Sequence, residues 1–108
     1  MNVNEMMRQA QVMQEALKDL QKDLKDIEVA GECGGGLVRV TMTCDGFVKR
    51  VAIDPSIVRT DDLDALEALV AAAVNSAAET KDTQIQERTR ALMKGMGLPD
   101  TSSLPGGT

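Results

Sequence analysis

The polar and apolar pattern changes period twice along the chain. From Val3 to Ile27, apolar residues recur at alternating spacings of three and four: Val3, Met6, Ala10, Met13, Leu17, Leu20, Leu24 and Ile27. This is a heptad stripe, with Val3, Ala10, Leu17 and Leu24 at position a and Met6, Met13, Leu20 and Ile27 at position d. It predicts an amphipathic helix, a rod of roughly 37 Å at ~1.5 Å per residue. A compact domain of about this length has a radius of gyration of only ~13 Å, so the helix is expected to project beyond the body. Its narrow stripe suits one partner helix better than burial in a broad core.

The period then shortens to two. Val38, Val40 and Met42 alternate with Arg39, Thr41 and Thr43, the pattern of a half-buried strand. Asp45-Gly46 reads as a two-residue type I′ turn, which pairs Cys44 with Phe47, Val40 with Val51 and Val38 with Ile53. One face then collects Val38, Val40, Met42, Cys44, Phe47, Val51 and Ile53, with Lys49 intruding. Upstream, a turn at Gly35-Gly36 pairs Cys33 with Val38 and Gly31 with Val40, and sets Glu32 opposite Arg39. A turn at Gly34-Gly35 keeps the same faces. The glycine run also raises the question of a phosphate loop. Such a loop needs a helix start after the glycines, with its unpaired N–H groups facing the anion. Here a strand follows, so a hairpin is the expected reading.

Beyond Pro55 the helical period returns. Thr60 is placed as N-cap, with Asp61, Asp62 and Asp64 at the positive end of the helix dipole. Leu63, Leu66, Val70, Ala73 and Ala77 form its buried stripe, and the small residues of "AAAVNSAA" permit close approach of a neighbouring helix or strand. From Thr80 the sequence becomes polar, with Ile85, Leu92 and Met96 as a sparse stripe. One helix from Asp61 to Met96 would be unusually long, so a kink or break is expected near Thr80 to Thr83. Gly95, Gly97 and Pro99 end the helical region. The expected fold is α+β: a long N-terminal helix, a three-stranded antiparallel meander, and C-terminal helices forming a projecting arm. Residues 1–96 are expected to form one domain and 97–108 a flexible tail. If the first and last helices pack antiparallel, the first residues meet the region of Lys94 at the distal tip.

Composition narrows the chemistry. The 108 residues contain no His, no Trp, no Tyr and one Phe. Without His there is no His-based triad, general base or metal ligand. Cys33 and Cys44 fall at opposite ends of the predicted hairpin, too far apart for a disulfide, and read as two reduced cytosolic thiols. Carboxylate pairs such as Asp61-Asp62 fit helix capping better than acid–base work. An enzyme, a cofactor and a small-molecule substrate therefore find no support. No apolar run suits a signal peptide or a membrane span, so a cytoplasmic protein is expected. The core must come from Leu, Val, Ile, Ala and seven Met, and the modest core of so short a chain favours a homodimer.

The net charge is −5, so any anion binding needs a local basic patch. On the first helix, Arg8, Lys18, Lys22 and Lys25 fall on the b/f edge, interrupted by Glu15, while Asp19, Asp23 and Asp26 fall on the opposite c/g edge. The last helix adds Arg88, Arg90 and Lys94. With Arg8, these make a candidate basic tip; taken alone, they also fit ordinary solvated helix faces. Lys49, Arg50 and Arg39 read as the wet face or edge of the sheet.

Together, "MMRQAQVMQEALKDLQKDL", "VAGECGGGLVRVTMTCDG", "VKRVAIDPSIV", "LEALVAAAVNSAAE" and "MGLP" resemble the YbaB/EbfC family of bacterial nucleoid-associated proteins. The resemblance covers most of the chain in the family's order. It implies a small homodimer with projecting helical arms, likened to tweezers, that binds double-stranded DNA with little sequence preference at the nucleoid. It also implies no catalysis and no cofactor. The family's suspected DNA-contacting arms correspond here to the first helix, with Arg8, Lys18, Lys22 and Lys25, and the last, with Arg88, Arg90 and Lys94. The competing expectation is an interaction module that grips a partner of the replication or recombination machinery without touching DNA.

Overall fold

A computed structural model describes residues 2–97. Helix α1 spans Val3–Leu24, strands β1, β2 and β3 span Glu28–Cys33, Val38–Thr43 and Val48–Ile53, and helix α2 spans Leu63–Gly95. The sheet is antiparallel in the order β1-β2-β3. The expected tail lies outside the described residues beyond Gly97.

The first hairpin has the register that the alternation predicts: Gly31 faces Val40, Glu32 faces Arg39 and Cys33 faces Val38. Gly34, Gly35 and Gly36 all take positive φ, at 66°, 69° and 94°. That backbone excludes most side chains and turns the chain tightly into β2. A Cβ placed on Gly36 would lie 3.6 Å from a carboxylate oxygen of Glu32. An acidic side chain beside the loop, followed by a strand, opposes a phosphate site.

The second hairpin corrects the expected type I′ turn. Only Gly46 has positive φ, and Asp45 does not. The Gly46 amide donates to Thr43 O at 2.9 Å and the Thr43 amide donates to Phe47 O at 2.8 Å. This is a three-residue loop in which glycine supplies the left-handed position. Thr43 secures it: its hydroxyl donates to the Asp45 carboxylate and accepts from the Phe47 amide at 3.1 Å. Met42 then faces Val48, a bulge shifts the register by one, and Thr41 faces Arg50. The bulge cancels the slip at the turn, so Val40 faces Val51 and Val38 faces Ile53 as predicted. Phe47 does not join the apolar face and is 66% exposed.

Helix α2 is continuous across Thr80 to Thr83, where a break was expected. Neither Pro nor Gly interrupts it there. The two Thr hydroxyls bond back within the helix, Thr80 to Ser76 O and Thr83 to Glu79 O, each at 3.1 Å. The C-terminal helices of the expected fold are thus one helix of 33 residues. It also starts later than expected. Asp62, not Thr60, is the N-cap residue and makes no side-chain cap bond. Arg59 holds Asp61 through two contacts at 3.2 and 3.3 Å, and the Asp62 amide donates to Arg59 O, so a turn occupies the place of the predicted first helical turn.

The core lies between α2 and the β1-β2 half of the sheet. Val38, Val40, Cys44, Ala73 and Ala77 are essentially inaccessible, with Val29, Met42 and Leu24 beside them. Contact is closest at Gly31: a Cβ there would lie 2.6 Å from Ala73 O and from Ala77 Cα. Glycine on the strand and alanine on the helix therefore let two backbones meet. Beyond this body the helices extend, and the molecule measures 70 × 30 × 17 Å. Its radius of gyration is 19.4 Å, against about 13 Å for a compact chain of this length.

Candidate nucleic-acid interface

Helix α1 begins at Asn2, whose side chain accepts from the Glu5 amide at 2.8 Å. It runs ~33 Å to Leu24, which anchors it in the core. Met13, Ala16 and Leu20 are half-buried, whereas nearly everything before Met13 is exposed. The helix is therefore an arm with a buried root. Helix α2 follows it from the body. Ile85 still packs on the core, while Met96 and Gly97 form a groove with Arg8, Gln9, Val12 and Met13 of α1. This is the antiparallel meeting that topology predicts, although α1 continues past it.

Lys18, Lys22 and Lys25 follow one another at spacings of four and three residues and form one exposed row, about 10 Å long, at the root of α1. Lys22 and Lys25 also lie at the C-terminal end of α1, where the helix dipole favours cations. Arg8 stands ~15 Å further out along α1, beside Met96 and Gly97 just beyond the end of α2. Arg90 and Lys94 are four residues apart and share the outward side of α2. Arg88 does not share that side. It lies with Lys81 and Ile85, and its charge reaches the buried Cys44 thiol. The seven candidate residues thus form a row at the root, a group near the end of α2, and Arg88 turned towards the hairpin.

All seven are exposed. Among the described residues Arg8, Lys18, Lys22, Lys25, Arg88 and Lys94 make no ion pair, which leaves their charge available to a ligand. On the sheet, Lys49 is engaged by Glu28 at 2.9 Å. That hydrogen bond, together with the carboxylate's charge, raises the Lys49 pKa above its ordinary value. Arg39 and Arg50 are exposed on β2 and β3. Charge alone selects the arm residues; the signal that separates Arg88 is its two-residue step to Arg90, which turns the two to nearly opposite sides of any helix.

Cys33 and Cys44 are both free, at opposite ends of β2. Burial pushes the Cys44 thiol pKa up, against the lowering effects of Arg88 and Lys81. Among the described residues no group of three or more His, Cys, Asp or Glu is arranged to hold a metal ion. Among the same residues no helix is long and apolar enough to cross a membrane.

Comparison with known proteins gives this geometry a context. The chain is 53% identical over 100 residues to a nucleoid-associated protein of Bordetella avium (strain 197N), covering 93% of this chain and 92% of that protein. Its fold is similar to the crystal structure of an uncharacterized protein from Helicobacter pylori, with a TM-score of 0.67 and 22% identity, over 89% of this chain and 97% of the other. The model of the YbaB/EbfC DNA-binding family matches residues 1–96. The chain belongs to the YbaB/EbfC DNA-binding family.

Proposed function

We infer that the protein binds double-stranded DNA as a homodimer, through its helical arms and with little sequence preference, at the bacterial nucleoid. The observation that carries this reading is the placement of exposed cations on two arms that project from an otherwise acidic body. Lys18, Lys22 and Lys25 offer one row of phosphate contacts, and Arg8, Arg90 and Lys94 offer a second group. Arg88 extends the basic surface towards the hairpin. Such contacts position a protein on the duplex without reading bases. No described element offers a recognition helix with a dense polar code, and the single aromatic, Phe47, sits on the hairpin and not on an arm.

The homodimer reading draws on β3. Both its neighbours in register, Val38 and Val40, are buried, yet Ile53 and Val51 opposite them remain 36% and 42% exposed because α2 covers only the β1-β2 half. An apolar edge strand of this kind is hazardous unless something pairs with it. A second copy, meeting it by the same surface, closes the interface and doubles the arms.

The test is fluorescence anisotropy with two duplexes of equal length and unrelated sequence, titrated at several salt concentrations. The reading predicts nearly equal affinities and a linear fall of log affinity with log salt. A large preference for one duplex would overturn the low specificity, and no binding even at low salt would overturn DNA binding itself and favour the partner-gripping module.

A further inference from the structure

We propose that the outer end of α1 is a self-association surface, pairing with the same stretch of a second copy at the arm tips. It goes beyond DNA binding and uses a different face of the helix.

The first observation is where charge is absent. Between Val3 and Lys22 the charged residues are Glu5, Arg8, Glu15, Lys18, Asp19 and Lys22, and all occupy heptad positions b, c or f. Positions a, d, e and g carry only Val, Met, Ala, Leu and Gln up to Gln21; the first charge among them is Asp23. A helix merely facing water has no reason to keep e and g uncharged, whereas those positions flank a helix–helix seam.

The second observation is that α2 covers only part of this seam. Met13, Ala16, Leu20 and Leu24 are covered to differing degrees, but α2 ends at Gly95. Val3, Met6 and Met7 are each more than half exposed, and Ala10 beside them is exposed too. About two turns of an apolar seam therefore continue beyond the last described partner.

A second copy fits this stretch for electrostatic reasons. Each chain carries −5, so two copies repel over most of their surfaces. At the tip the facing positions are neutral. The tips also lie at the end of a 70 Å molecule, so pairing there keeps the acidic bodies several Debye lengths, of ~8 Å each, apart. A two-fold contact sets Val3, Met6, Met7 and Ala10 against their own counterparts, and unbranched Met side chains adapt to such packing. Arg8, at position f, stays on the far side and remains available to phosphate. DNA-bound molecules are thereby joined tip to tip.

The test is sedimentation velocity of the full chain, without DNA, from micromolar to millimolar concentration and at low and high salt. The proposal predicts a species larger than the micromolar one, growing with concentration and favoured by salt, which screens the repulsion. Salt weakens phosphate binding, so the two activities respond in opposite directions. The M6E/M7E variant, altered at exposed positions, should need at least about tenfold higher concentration to associate, because pairing buries its charges. Its micromolar species and melting temperature should be unchanged. A parent with one species at every concentration, or a variant that associates equally well, overturns the proposal. So does a lowered melting temperature of the variant at micromolar concentration, which would mean that the seam is covered within its own chain.

Discussion

The two ends of this molecule solve opposite problems with similar helices. At the body end, Ala73 and Ala77 of α2 press on Gly31 so closely that no Cβ fits on the strand. At the arm end, Val3, Met6 and Met7 of α1 lie open although they belong to the same kind of apolar stripe. Small residues made the first contact, and a narrow stripe that outruns its neighbour produced the second. The comparison teaches that apolar periodicity says which face of a helix seeks a partner, while residue size and length decide whether this chain supplies one. Stability is concentrated at the body, and the arm is free to vary its surface chemistry.

The sharpest way to break that contrast is Gly31→Ala. Its new methyl meets helix backbone, which has no rotamer to relieve the clash. The expected cost exceeds about 3 kcal/mol, with a collapsed or absent cooperative melt by circular dichroism. Met7→Ala on the arm should stay within about 0.5 kcal/mol of the parent. Val40→Ala comes next: it empties a fully buried site and should cost about 2–3 kcal/mol in urea unfolding. Val12→Ala on α1, at a position half exposed, should cost a small fraction of that.

A smaller effect tests the junction between the two regions, where Arg88 and Lys81 approach Cys44. Burial raises this thiol's pKa in the folded protein, so the unfolded chain releases its proton first as pH rises. Stability should therefore fall above the ordinary thiol pKa of 9.0 and be unaffected by this group at neutral pH. Cys44→Ala should flatten that alkaline decline, as read by melting temperature against pH. Thiol labelling near pH 8 should modify half-buried Cys33 well before Cys44.

The sequence made the sheet legible through alternation and glycine, because a one-residue slip would turn every valine of β2 outward. Val40 opposite Val51 and Gly31 opposite Val40 followed from that constraint. The β2-β3 turn did not, since Thr43, Asp45 and Phe47 form a local hydrogen-bond set that composition rules for Asp-Gly do not encode. The compensating bulge was equally hidden. The continuity of α2 is not legible because the expected break rests on helix length alone, and nothing in that length shows that Thr80 and Thr83 satisfy their hydroxyls inside an unbroken helix. At the candidate interface, charge and heptad phase located the Lys18, Lys22 and Lys25 row on α1. They do not separate Arg88 from Arg90 and Lys94, because grouping by charge ignores the two-residue step that sets Arg88 and Arg90 on nearly opposite sides of α2.

The central claim is that DNA is held by the arms and not by the sheet, and matched variants address it directly. Log affinity against log salt should be measured by anisotropy for the parent and three triple variants: Lys18, Lys22 and Lys25→Gln; Arg88, Arg90 and Lys94→Gln; and Arg39, Lys49 and Arg50→Gln. Each variant changes net charge equally. The account predicts that either arm variant weakens binding alike on unrelated duplexes and flattens the slope by roughly 0.9 for each phosphate contact removed, while the sheet variant keeps a slope near that of the parent. Arm variants with the parent's affinity and slope, alongside a weakened sheet variant, would contradict it.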